Sequence, residues 1–218
     1  MIRVLVVDDQ HLVRTGMVRL LDDVDGVEVI GQANSGEEAL RMSRDLQPQV
    51  VLMDIQMPGI GGLEATRKIL SQCPDTRVLA VSAFDSEPFP SRLLKAGAIG
   101  FVSKDADFTE IEAAVRAAAR GQHHISSALA QSMAQRSIGH GVQDSPFEAL
   151  SDREMQICLM VVQGGKVQDI SEKLNLSPKT VNTYRYRIFE KLDLNGDVEL
   201  TLLALAHGII QPPRAGVF

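Results

Sequence analysis

Residues 49–62 read QVVLMDIQMPGIGG, and the fold follows from how this stretch divides. Val50 to Met53 form an unbroken apolar run that stops at Asp54. A strand covered on both faces has this composition, because neither side of it meets water. The Pro- and Gly-rich segment Gln56–Gly62 then ends the strand in a turn. The same arrangement recurs outward in both directions. IRVLVV (2–7) leads into Asp8-Asp9, RVLAVS (77–82) ends at Ser82, and AIGFVS (98–103) precedes Lys104. VEVIGQA (27–33) is a fifth strand of the same kind. Helical stretches separate the strands: HLVRTGMVRLLDD, GEEALRMSRDL, GLEATRKILSQ, SRLLKAG and FTEIEAAVRAAARG. Five strands alternating with five helices predict an α/β domain built on a five-stranded, doubly wound parallel sheet. Pro88 and Pro90 predict a short or irregular first turn for the fourth helix.

In a parallel sheet the C-terminal strand ends share one rim, where open α/β folds place their ligands. That rim is expected to gather Asp8, Asp9, Asp54, Ser82 and Lys104. Three carboxylates together are unfavourable alone and favour a hard divalent cation bound through oxygen. Mg2+ suits Asp8, Asp9 and Asp54, with the backbone carbonyl of Gln56 as a further ligand. The ion would neutralise an incoming phosphoryl group. Asp54 is then the nucleophile, forming an aspartyl phosphate. Lys104 is placed to pair with Asp54 before reaction and with phosphate afterwards, and Ser82 to donate its hydroxyl. Any one such Asp is more often a turn cap. The combination at four strand ends is what points to chemistry.

VVDD at 6–9, LMDIQMPGIGG at 52–62, VSA at 81–83 and GFVSK at 100–104 resemble the receiver domain of response regulators, a flavodoxin-like fold. The resemblance covers residues 1–121 and implies a sensor histidine kinase, or a small phosphodonor, as the source of phosphate. It also implies a switch in which Ser82 moves toward the phosphate and Phe101 rotates inward. About two units of new charge would drive that change. Phe101 stands where Tyr is commoner in the family, which removes one outward hydrogen bond.

The second half reads differently. Residues 122–147 are a linker with one possible short helix, SSALAQSMAQR, followed by IGHGVQDSP. Ser151 and Glu154 form a capping-box pattern that opens a helix. VQDISEKL is a second helix, and Ser177-Pro178 cap a third that runs to Leu192. DVELTLLALAHG is a fourth. The expected result is an all-α, four-helix domain over 148–211 with a tail at 212–218. Within PKTVNTYRYRIFEKL (178–192), Val181, Tyr184, Ile188 and Leu192 share one stripe. Polar and cationic residues fill the opposite arc. A helix that reads a DNA groove needs an apolar back, a hydrogen-bonding front and cations at its borders. Asn182, Thr183 and Tyr186 are the base-edge candidates. Lys179, Arg185, Arg187 and Lys191 are the phosphate candidates. VQDISEKLNLS supplies the positioning helix and turn of a helix-turn-helix.

Leu150 to Ile210 is similar to the DNA-binding domain of the LuxR/NarL/FixJ class, and its third helix resembles that of GacA/UvrY/SirA-type global regulators. Members carry Lys where this chain has Asn182 and His where it has Tyr184, so the usual lysine contact does not transfer to Asn182. The class implies a homodimer, formed on phosphorylation, that binds inverted-repeat double-stranded DNA, often through the last helix. Leu200, Leu203, Ala204 and His207 lie on the candidate face. The resemblance further implies targets among promoters of small regulatory RNAs.

Bulk properties agree with this reading. The 218 residues are 44% hydrophobic, which argues for globular rather than disordered chain. Net charge is −6, and residues 1–121 hold 18 acidic against 13 basic side chains while 122–218 hold 10 against 9. Neither half is a basic domain, so DNA contact must come from a local patch. No apolar run is long enough to span a membrane, and MIRVLVVDD shows no signal-peptide pattern. A cytoplasmic protein without a membrane contact is expected, with Cys73 and Cys158 as reduced thiols. Two other readings stay open: a transcription factor whose receiver is vestigial, and an aspartate-nucleophile phosphatase. The second is disfavoured because Gln56 stands where such enzymes carry a general acid, and no enzyme in the turnover sense is expected.

Overall fold

The computed structural model describes residues 1–83, 89–126, 130 and 145–210. The chain forms two compact units that divide near Val142. In the first, β1 (Ile2–Val7), α1 (His11–Asp22), β2 (Val27–Ala33), α2 (Gly36–Leu46) and β3 (Val50–Asp54) are followed by α3 (Gly61–Gln72), β4 (Arg77–Ser82), α4 (Phe89–Lys95), β5 (Gly100–Ser103) and α5 (Phe108–Ala119). The strands form one sheet in the order β2-β1-β3-β4-β5, parallel throughout. The order reverses at β1, so a crevice opens between the ends of β1 and β3, the place where such sheets bind ligands.

Alternation along each strand sorts side chains onto two faces. Val4, Val6, Leu52, Val81 and Val102 pack with Leu21 of α1 and with Ile111, Ala114, Val115 and Ala118 of α5. Leu5, Val7, Val51, Met53 and Val78 pack with Ala39 of α2 and with Ala65 and Ile69 of α3. Both faces are therefore covered, which is why the strands read as continuous apolar runs. Pro90 sits in the first turn of the seven-residue α4, where its missing N–H costs nothing.

One element departs from the sequence reading. Residues just past α5 are not free linker. The N–H of His124 donates to the carbonyl of Ile99 (3.2 Å), and the His124 carbonyl accepts from the N–H of Phe101 (2.9 Å). His124 thus pairs in parallel with Gly100 and covers the outer edge of β5. Gly100 permits this approach: a Cβ there would lie 2.3 Å from the His124 carbonyl oxygen. Most of the short helix expected over SSALAQSMAQR lies outside the described residues.

The second unit begins with a 3-10 turn, Pro146–Ala149, followed by α6 (Asp152–Val162), α7 (Val167–Leu174), α8 (Pro178–Leu192) and α9 (Asp197–Ala206). Ser151 and Glu154 close the expected capping box at α6. Asn175 takes the left-handed conformation (φ 51°) that turns α7 into α8, and Ser177 caps α8 by accepting the Thr180 N–H at 3.1 Å. Phe147, Ile157, Ile170, Val181, Ile188 and Leu200 form the centre of the packing and are almost fully buried.

Candidate functional site

The strand ends bring the expected groups together. Asp8 closes β1, Asp54 ends β3, and Lys104 follows β5; Asp8 and Asp54 are buried while Asp9 faces solvent. One carboxylate oxygen from each of Asp8, Asp9 and Asp54 lies within 4.8 Å of the others. The Lys104 ammonium reaches across the crevice, 2.7 Å from Asp8 Oδ2 and 2.8 Å from Asp54 Oδ2. Backbone amides hold the remaining oxygens: Gln10 N–H donates to Asp8 Oδ1 at 2.8 Å, and Gln56 N–H donates to Asp54 Oδ1 at 3.2 Å. Ser82 is fully buried at the end of β4, and its carbonyl accepts the Lys104 N–H at 2.8 Å. Phe101 is also buried, on the strand that leads to Lys104.

Electrostatics follow from this geometry. Burial pushes the Asp54 carboxyl up to about 6; Lys104 opposes the rise and Asp8 adds to it. For Lys104, burial works against the charged form, but Asp54 and Asp8 outweigh it and hold its pKa above the ordinary lysine value. A buried, reluctantly ionised aspartate beside two more carboxylates is a site that a hard cation would relieve. Three convergent oxygens are the donor set Mg2+ accepts. The loop after Asp54 is built for close approach. A Cβ on Gly62 would fall 2.0 Å from the Asp54 carbonyl oxygen, so α3 can start there only with glycine.

In the second unit, α8 buries Val181, Ile188 and Leu192, as the helical stripe requires, and half-buries Tyr184. Lys179, Thr183, Tyr186 and Arg187 are exposed, with Tyr186 at 72%. The Arg187 guanidinium lies 5.9 Å from the Tyr184 ring centre, within cation–π range. Asn182 is half-buried, and its side-chain oxygen accepts from Arg185 Nη1 at 2.9 Å.

Two of the phosphate candidates also have partners inside the domain. Arg185 pairs with Asp197 of α9 at 2.5 Å and lies 5.8 Å from the Phe189 ring centre. Lys191 pairs with the buried Glu154 at 2.6 Å and donates to the Ala149 carbonyl at 3.2 Å. Both cations thus pair with carboxylates of their own domain. Periodicity gives the side of a helix but not the charge a neighbouring helix offers it, and the partners lie 12 and 37 residues away.

Residues 4–116 match the response regulator receiver domain family, and residues 148–204 match the bacterial regulatory proteins of the luxR family. The chain is a two-component response regulator. It is 59% identical over 210 residues to response regulator GacA of Pseudomonas viridiflava, covering 96% of this chain and 98% of that one. It is 50% identical over 209 residues to response regulator UvrY of Escherichia coli K12, covering 96% of each. Among solved structures, RcsB of Salmonella enterica serovar Typhimurium, bound to the promoter P1flhDC with a phosphomimetic, aligns with 94% of this regulator and 98% of that chain. Its TM-score of 0.68 at 21% identity speaks to the fold alone. The regulator therefore joins a receiver to a LuxR-type DNA-binding domain and controls transcription. Among its described residues no helix is long and apolar enough to cross a membrane.

Proposed function

We propose that Asp54 is the phosphoacceptor and that a sensor histidine kinase supplies its phosphoryl group. The observation that carries this reading is the meeting of Lys104 with Asp8 and Asp54 at 2.7 and 2.8 Å. An Asp54 carboxylate oxygen attacks phosphorus as the bond to the donor's leaving atom breaks, and the leaving group departs with the electron pair. Asp8, Asp9, Asp54 and the Gln56 carbonyl would hold Mg2+, which supplies charge neutralisation at the transferring group. Lys104 shifts from the free carboxylate to a phosphate oxygen, and Ser82 donates its hydroxyl to another. Phe101, already inside, reports the loop movement to the surface around α4 and β5. The boundaries that serve this scheme are a receiver over 1–121, a linker over 122–147 whose first residues pair with the edge of β5, the DNA-binding domain over 148–211 and a tail.

In the DNA-binding domain, Asn182, Thr183 and Tyr186 meet base edges, while Lys179 and Arg187 meet phosphates. Asn182 can pair with adenine through both side-chain atoms while its oxygen keeps a second lone pair for Arg185. Phosphorylated chains form a homodimer on an inverted-repeat operator. Val198 and Leu202 of α9 are 75% and 60% exposed, whereas Leu200 and Ala204 are buried. The contact face is thus the Val198–Leu202 side rather than the stripe through Leu200 and Ala204. The protein acts in the cytoplasm, and its targets include small regulatory RNA promoters, as the resemblance to the GacA type implies. A mobility-shift assay on random double-stranded DNA, with and without acetyl phosphate and Mg2+, tests this scheme. Equal affinity in both arms would favour a vestigial receiver. Acid-labile phosphate retained by Asp54→Asn would overturn the assignment of Asp54.

A further inference from the structure

Two charged side chains outside the acid cluster grip the two loops that form it. On the first loop, Arg14 of α1 donates from Nη1 to the Asp8 carbonyl at 2.5 Å, and its other terminal nitrogen lies 3.3 Å from His11 Nδ1. Every polar group of Asp8 is then engaged. Its N–H donates to the Ala33 carbonyl at 3.1 Å, one carboxylate oxygen accepts from Gln10 and the other faces Lys104. On the second loop, Glu37 in the first turn of α2 accepts the Ile60 N–H at 3.0 Å. Its carboxylate lies so close over Gly59 that a Cβ there would sit 2.3 and 2.4 Å from the two oxygens. Gly36 seats the same turn against Ile60 and Gly61, with 2.7 and 2.9 Å to a hypothetical Cβ.

We infer that Arg14 and Glu37 are positioning residues that set the affinity of the acid cluster for Mg2+. Neither offers an atom to the ion or to phosphate. Each fixes the backbone from which ligands project: Arg14 the Asp8–Gln10 turn, Glu37 the Gln56–Ile60 loop. Mg2+ demands near-octahedral geometry and tolerates misplaced ligands poorly, so loop freedom in the metal-free state lowers affinity. The inference rests on the reading of Asp8, Asp9 and Asp54 as a metal site.

Charge separates positioning from simple electrostatics. Removing a cation near an acid cluster should tighten Mg2+ binding on electrostatic grounds, and removing an anion should weaken it. Loss of positioning weakens it in both cases. Direct calorimetric titration of the full chain with Mg2+ is the test. Arg14→Ala and Glu37→Ala are each expected to weaken binding by about 3–10-fold, less than the 10–100-fold typical of groups that hydrogen-bond the ligating side chains themselves, because both grip backbone instead. The double variant should show the product of the two factors, since the clamps act on separate loops. Glu37→Gln keeps an acceptor for Ile60 without the charge and should stay within about twofold of the parent chain. Arg14→Lys keeps one donor and should recover most of the loss. In metal-free protein, Glu37→Ala should also speed hydrogen exchange at the Ile60 amide. At saturating Mg2+ every variant should take phosphate from acetyl phosphate at the parent rate. Tighter binding in Arg14→Ala, weak binding in Glu37→Gln, or unchanged binding in both alanine variants would overturn the inference. Loss of phosphate uptake at saturating Mg2+ would do so too. Retained phosphate on Asp54→Asn would sink only the phosphoacceptor reading, because the metal titration stands without it.

Discussion

Lys104 lies 2.8 Å from Asp54, and that ion pair, with the weaker hydrogen bond from the Gln56 N–H, only partly offsets the cost of burying a carboxylate at 3% exposure beside Asp8. The Asp54 carboxyl stays up at about 6 against 3.8 for a free aspartate. The folded protein therefore holds this proton more tightly than the unfolded chain does. Stability falls as pH rises from about 4 to about 6 and stays lowered above that. The shift corresponds to about 3 kcal/mol of ionisation cost at neutral pH. Asp54→Asn, which cannot ionise, should raise metal-free stability by about 1–3 kcal/mol at pH 7.5, with the gain vanishing toward pH 4. Urea unfolding at both pH values measures it, and a destabilised variant at pH 7.5 would contradict the account.

Lys191→Ala should act on folding rather than on DNA. It leaves Glu154 buried without its cation. The lysine is itself 40% exposed, so a loss of about 1–2 kcal/mol is expected rather than the full cost of breaking a buried pair. For Glu154, burial raises the pKa, but Lys191 and the Ser151 contacts outweigh it and hold the pKa below the ordinary value. This contribution is present above the usual glutamate range and is lost as acid protonates Glu154. Thermal unfolding across pH 3–7 should show the parent and variant converging at the acid end.

Lys179→Ala and Arg187→Ala should do the reverse. Each leaves folding unchanged and lowers the slope of log affinity against log salt by about 0.9, one phosphate contact apiece. Arg185→Ala should leave that slope intact and destabilise the domain by freeing Asp197. Equal slopes for all three variants would show that Arg185 leaves Asp197 when DNA binds.

Asn182→Ala should cost about 1–3 kcal/mol on the preferred operator and less on others. Competition binding on operator variants distinguishes this from a backbone contact, for which the loss would be uniform.

Much of this was readable from the residues, for a physical reason. Strands buried on both faces must be apolar throughout, and helix ends must be capped. QVVLMD and SDRE therefore announce a strand and a helix start without any neighbour. The acid cluster was readable because parallel strands force their ends to one rim. What escaped is what depends on neighbours distant in sequence. Glu154 answers Lys191, Asp197 answers Arg185, and Glu37 grips a loop 23 residues further on. The α9 stripe shows the same limit. Leu200 and Ala204 are buried and Leu203 half-buried, but His207 is exposed, its ring edge-on to Phe147 at 6.0 Å. Val198 and Leu202 took the open side. Backbone pairing leaves even less trace, since GQHHIS has no strand composition at all.

The hold of His124 on Gly100 matters to anyone isolating the receiver. Cutting after Gly121, the boundary composition suggests, would strip the cover from β5 and leave bare amides and carbonyls that invite a second sheet to dock. Such a fragment should self-associate in sedimentation velocity, whereas one carried through Ser126 should sediment as a monomer. The few residues that look like connecting thread are the selvedge that keeps the sheet from unravelling into its neighbours.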